Sequence, residues 1–195
     1  MKKEHLLDLV HRVRELTKIE APVIVGSHSL FAITDQVPSI VSQSFEADFL
    51  LGMDSITAMQ RVNAELGVTS DFYDLHGYHA DALGLATVVL VPSWEERLQP
   101  LKDESGQVIA RCLELHDVAV SKLMAGRDKD FGFIAALLDR RLISLVTLTE
   151  RAALIQETAA ADALRPRLGK LLDHLRQHRT VNDVTPLLKL ISHLN

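Results

Sequence analysis

A β-branched run, Val23-Ile24-Val25, stops at Gly26-Ser27, and the apolar segment at residues 45–51 alternates acidic and apolar side chains. The first pattern is that of a buried strand running into a turn. The second has the two-residue period of a strand. It puts Glu46 and Asp48 on one face and Phe45, Ala47 and Phe49 on the other. Helical patterns surround both. Leu6, Leu9, Val10, Val13 and Leu16 recur at helical spacing within residues 4–18, and Pro22 ends the pattern. Residues 27–33 read as a short helix. Residues 55–66 read as another, with Asp54 or Ser55 as N-cap and Gly67 just past the end. A chain of this kind mixes short strands with helices.

The mixture does not continue to the C-terminus. Residues 68–84 carry Asp, His, Tyr and Gly without a period and read as loop, with room for short strands. Residues 86–91 read as a strand ending at Pro92, and residues 108–115 as another, with a turn at Lys102-Asp103-Glu104-Ser105-Gly106. From Asp117 onward the pattern is helical. Thr147-Leu148-Thr149-Glu150 has the spacing of a capping box and marks a helix start. Leu164, Leu168, Leu171, Leu172 and Leu175 stripe one face of the next helix, and Thr185-Pro186 opens the last. The expected organisation is an α+β core over residues 1–143 with an all-helical extension, residues 144–195, packed on it.

Charge and cysteine content narrow the function classes. A net charge of −5 argues against a chain that wraps nucleic acid by bulk charge. A single cysteine, Cys112, excludes an internal disulfide and fits a reducing compartment; in a strand it reads as core and not as nucleophile. Asp8, His11, Arg12 and Arg14 interrupt the apolar run that a signal peptide needs. No apolar stretch approaches the ~20 residues needed to span a bilayer. The expectation is a cytoplasmic protein without membrane contact.

Three groups of residues carry chemistry. Gly26-Ser27 after a strand lets the backbone and a hydroxyl approach a triphosphate, although alone such a pair is more often a simple turn. Glu46 and Asp48, two apart on a strand, point the same way and repel. A divalent cation such as Mg²⁺ removes the repulsion and orients phosphates; a solvent-facing edge strand is the plainer alternative. The third group is Lys122, Arg127, Asp128, Lys129 and Asp130. Lys122 and Lys129 share a face if the helix is continuous, and a cation near a triphosphate stabilises developing charge. The plainer alternative is a solvated cluster. Gly126 and Gly132 lie in this stretch, and a break or close packing at Gly126 is expected. His76 and His79 read as loop histidines, because Gly77 and Tyr78 between them argue against the helix that would pair them as ligands.

The segments Val23-Ile24-Val25-Gly26-Ser27, Ser44-Phe45-Glu46-Ala47-Asp48, Pro92-Ser93-Trp94-Glu95-Glu96-Arg97-Leu98 and residues 112–130 occur in the order found in a bacterial nucleotidyltransferase-like family. The resemblance spans about residues 23–142. That family is similar to abortive-infection type nucleotidyltransferase toxins and, more distantly, to polymerase-β-like enzymes. The resemblance implies a mixed β-sheet flanked by helices, a nucleoside triphosphate (NTP) contacted by Gly26, Ser27 and Arg127, and Mg²⁺ at Glu46 and Asp48. It also implies catalytic roles for Lys122 and Asp130. Two features depart from the relatives. The first acid is Glu46 where they have Asp. The third carboxylate, expected on a later strand, has no counterpart in residues 86–91, and Glu114 and Asp117 are the nearest substitutes.

The resulting expectation is an enzyme that moves a nucleotide from an NTP to RNA, protein or a small molecule. Two alternatives stand beside it: an inactive nucleotide- or partner-binding module of the same fold, and a nucleic-acid-binding regulator using Arg165, Arg167, Lys170, Arg176 and Arg179.

Overall fold

The computed structural model describes residues 1–51 and 56–194. In chain order the elements are α1 (Lys3–Thr17), β1 (Val23–Ile24), a 3-10 turn (Ser27–Ala32), α2 (Ser39–Ser42), β2 (Glu46–Leu50), α3 (Ile56–Leu66), α4 (Asp71–His76) and β3 (His79–Leu83). Then come 3-10 turns at Leu85–Thr87 and Trp94–Arg97, β4 (Gln99–Lys102), β5 (Val108–Cys112), α5 (Leu115–Ala125) and α6 (Asp128–Asp139). The rest is α7 (Leu145–Ala153), a 3-10 turn (Leu154–Glu157), α8 (Ala161–His178) and α9 (Thr185–His193). The protein is α+β, a mixed sheet with flanking helices followed by helices alone. The chain forms two compact units, Met1–Val88 with Glu95–Glu114, and Val89–Trp94 with Leu115–Asn195. No helix among the described residues is long and apolar enough to cross a membrane.

The first unit is built on a five-stranded sheet in the order β3-β2-β1-β5-β4. β1 has only two residues, yet it holds the centre, antiparallel to β2 and parallel to β5. The Val25 amide donates to Asp48 O at 3.0 Å and the Leu113 amide to Ile24 O at 2.8 Å, extending both ladders. β2 and β3 run parallel over five residue pairs, Glu46 opposite His79 through Leu50 opposite Leu83. The apolar stripe of α1 does what its spacing predicts: Leu6, Leu9, Val10 and Val13 are fully buried, in one core with Ala47, Phe49, Ala80 and Ala82 from the sheet. Asn63 of α3 fastens that helix to β3, its side chain accepting from the Ala82 amide at 2.7 Å and donating to Ala82 O at 3.2 Å.

Several local expectations change. Phe45 is 57% exposed and is not part of the apolar face of β2, because the ladder starts one residue later. Within residues 68–84 the short strand allowed for is β3, and the helix α4, which was not expected, precedes it. Ser70 caps α4 by accepting from the Tyr73 amide, and Gly77 ends it in a left-handed conformation at φ 72°. His76 therefore closes a helix while His79 opens a strand. Residues 86–91 form no strand; the strand lies later, at β4, where Pro100 hides it from a propensity reading. β4 is an edge strand, where a residue without an N–H is tolerated. The strand expected at residues 108–115 ends at Cys112, and α5 starts at Leu115. The N-cap expected at Asp54 or Ser55 lies outside the described residues.

In the second unit the leucine stripe of α8 is buried as expected. Gly126 ends α5 at φ 65°, so Lys122 and Lys129 belong to different helices and share no continuous face. A Cβ on Gly126 would overlap the Arg167 guanidinium, which donates to Gly126 O at 3.1 Å. α7 begins at Leu145, with Ser144 accepting from the Thr147 amide, and not at Thr147. Thr149 is one turn inside, its hydroxyl bonded to Val146 O.

Candidate functional site

The alternation of β2 separates its side chains cleanly: Ala47 and Phe49 are fully buried, while Glu46 and Asp48 are half-buried on the opposite face. Parallel pairing with β3 then determines what stands beside each acid. His79 lies opposite Glu46, and Asp81 lies opposite Asp48. Cross-strand partners project to the same side of a sheet, so the four polar side chains occupy one face. Ligand atoms of Glu46, His79 and Asp81 lie within 4.8 Å of one another. Burial raises the Asp81 carboxyl above the usual range; the nearby His79 opposes that shift and Glu46 adds to it. His79 is buried, with Nε2 at 3.5 Å from Asp81 Oδ1 and the Tyr73 ring edge-on at 4.9 Å.

The turn after β1 meets the same face. A Cβ on Gly26 would fall on the Asp48 carboxylate, so the glycine hydrogen is what gives that carboxylate its seat. The Gly26 φ of −89° is open to any residue, and the requirement is therefore space and not backbone freedom. Ser27 is partly exposed at the start of the 3-10 turn. The turn is held by the Ser29 hydroxyl, which donates to Ile24 O at 3.0 Å, and the Ser29 amide, which donates to Gly26 O at 3.1 Å.

The remaining expected residues belong to the second unit. Asp130 lies in the first turn of α6 and is 2% exposed. Arg127 clamps it with Nε at 2.8 Å and Nη2 at 3.2 Å, and the Arg127 amide also donates to it at 3.2 Å. Lys122 Nζ stands 3.9 Å from Asp130 Oδ1 with 16% of its side chain exposed. Lys122, Arg127 and Asp130 are thus brought together across the α5–α6 break. The carboxylate satisfies the helix start and both cations. The substitutes considered for a third carboxylate are not strand residues: Asp117 is buried in α5 with Arg151 Nε at 3.9 Å, and Glu114 precedes that helix.

The family of nucleotidyltransferases of unknown function (DUF6036) matches residues 4–167, most of the chain. The chain belongs to this family. No curated protein and no solved structure matches it. A nucleotidyltransferase assignment suits an acidic sheet face beside a glycine turn, because phosphates and the cations that accompany them need both.

Within this chain the residues that sequence reasoning did not place in the site are His79 and Asp81. Both were legible in one respect. His79-Ala80-Asp81 repeats the polar-apolar-polar spacing of Glu46-Ala47-Asp48. The signal was weak because alanine has little strand preference, so the segment did not stand out from the surrounding polar residues.

Proposed function

We propose that this chain transfers a nucleotide from an NTP to RNA, protein or a small molecule, with a divalent cation at Glu46, Asp48 and Asp81. The observation that supports it most directly is the register that sets Asp81 beside Asp48, with Glu46 two residues away on the same face. Clustered carboxylates of this kind destabilise one another until a dication joins them. Their oxygen donors suit Mg²⁺, which would supply charge neutralisation and phosphate orientation.

The chain's own residues divide the remaining work. Ser27 and the backbone after Gly26 hold phosphate. The sequence resemblance gives Lys122 the charge that develops as pyrophosphate leaves, Arg127 a nucleotide contact, and Asp130 the orienting of these two cations. The acceptor oxygen attacks the α-phosphorus, the bond from that phosphorus to the pyrophosphate oxygen breaks, and the acceptor proton passes to a carboxylate of the acidic face. A bacterial origin and a toxin role like that of the abortive-infection enzymes belong to the same proposal and rest on the sequence resemblance.

The inactive-module alternative drew on the want of a third strand carboxylate, and Asp81 removes that ground. The regulator alternative loses one of its cations, since Arg167 is engaged with Gly126. The deciding experiment is transfer of α-phosphate label from each of the four NTPs, with Mg²⁺, into total RNA, protein and small-molecule fractions. Label in one fraction, abolished by Asp48→Asn, supports the proposal. Nucleotide binding without transfer to any fraction would return the inactive module.

A further inference from the structure

We propose that His79 is itself a metal ligand, and that the Glu46–His79–Asp81 group takes a first-row transition dication such as Mn²⁺ in preference to Mg²⁺. The inference rests on the proposed nucleotidyltransferase only in using the same acidic face.

Mg²⁺ favours oxygen donors in near-ideal octahedral geometry, whereas imidazole nitrogen favours transition metals. The register places one imidazole directly opposite Glu46. Its Nε2 lies 3.5 Å from Asp81 Oδ1, and the side chain is only 8% exposed. Three ligand atoms within 4.8 Å of one another can close around one ion with small side-chain rotations. The second observation is independent of the acids. His79 Nδ1 is buried and has no hydrogen-bond partner among the described residues. A buried polar ring with an unpartnered nitrogen is costly where packing alone is at stake. Its neighbours include the Tyr73 ring, T-shaped with a centroid separation of 4.9 Å, which an apolar side chain would meet as well. The ring is nine-tenths buried with Nε2 turned toward the Asp81 carboxylate, the position from which it would reach a cation held by Glu46 and Asp81.

The test uses the full chain and Mn²⁺ as the probe, without nucleotide. Electron spin-echo spectroscopy of the bound ion should show coupling to a directly ligated nitrogen, and His79→Gln should abolish it. In competition, His79→Gln should lower Mn²⁺ affinity by tenfold or more while leaving Mg²⁺ affinity within about twofold, because only the nitrogen donor discriminates between the ions. The wild-type spectrum is decisive even if the variant fails to fold. Bound Mn²⁺ without nitrogen coupling, no bound Mn²⁺, or equal loss of both ions in a folded variant would each overturn the inference. Label transfer with Mg²⁺ in the absence of nitrogen coupling sinks this inference and leaves the enzyme standing. Nitrogen coupling without any transfer does the reverse.

Discussion

Asp48 and Asp81 are Cα partners in the parallel β2–β3 ladder, so their side chains leave the sheet on one face. A parallel pair is spaced about 4.8 Å apart, close enough for one cation to serve both and for each to disfavour the other's charge. Asp81→Asn should therefore separate function from stability. Label transfer should fall at least a hundredfold, by about 2.7 kcal/mol of barrier. The melting temperature without metal should hold or rise, since like charges placed opposite one another are destabilising by up to about 1 kcal/mol. A fall in melting temperature together with retained transfer would place Asp81 in the scaffold and not in the reaction.

Gly26 and Asp48 form a second testable pair. Gly26→Ala drives a methyl group into the Asp48 carboxylate, and such overpacking costs about 1–3 kcal/mol. Asp48→Ala removes the obstacle. A double-mutant cycle should recover most of the lost stability in the double variant, measured by denaturant unfolding. Additive losses would mean that the turn relaxes away from β2 and that the close approach has no energetic weight.

Lys122 and Arg127 both face Asp130 but should fail differently. Arg127→Ala leaves a carboxylate that is 2% exposed with Lys122 at 3.9 Å. Truncating one partner of a buried pair costs about 3–5 kcal/mol, and the partly exposed Arg127 puts this case at or below the low end. Lys122→Ala should be mild in stability. It should abolish label transfer and weaken NTP binding by about tenfold, or 1.4 kcal/mol. Lys122→Arg should restore little, because a planar fork does not replace a compact charge. If Lys122→Ala matched wild type in kcat and KM, Lys122 would be a structural partner of Asp130 alone.

Cys112 offers a probe of the sheet. It is fully buried in β5, and burial pushes its thiol up to about 12. The thiolate is the reactive form, so at pH 8 a thiol reagent should modify the native protein only as fast as the strand opens. Labelling that is complete within seconds in buffer, without denaturant, would contradict the buried placement.

Tyr78 should govern the alkaline limit. Burial, and then its hydrogen bond to Asp8, raise its hydroxyl to about 12. The unfolded value is about 10. A pKa raised on folding adds stability below the unfolded value and loses it as pH rises through the folded one. Stability should therefore decline from about pH 10 to 12, and Tyr78→Phe should flatten that decline. At neutral pH the same substitution should cost about 1 kcal/mol for the lost bond to Asp8. Identical alkaline melting curves for the two proteins would show that other groups set the limit.

Local periodicity is enough to specify much of this protein. The spacing of Leu6, Leu9, Val10 and Val13 settles which side of α1 is buried, and the leucine stripe does the same for α8. The two-residue period of β2 puts Glu46 and Asp48 together on a strand face, and the glycine that must follow β1 is visible in the chain. Each of these depends on residues a few positions apart, within the reach of one helix turn or one strand. The partners of that acidic face are a different matter. The local sign that His79 and Asp81 form a strand is a weak one, since the residues between and after them are alanines. β3 exists because five consecutive residues pair with β2 and because Asn63 ties it to α3, interactions that cross about thirty and nineteen positions. Strand neighbours are chosen by whole-domain packing, and the register that lines up Asp48 with Asp81 and Glu46 with His79 is a product of that choice. The acids of β2 were thus written in the sequence, while the third carboxylate and the histidine beside it were decided by tertiary pairing.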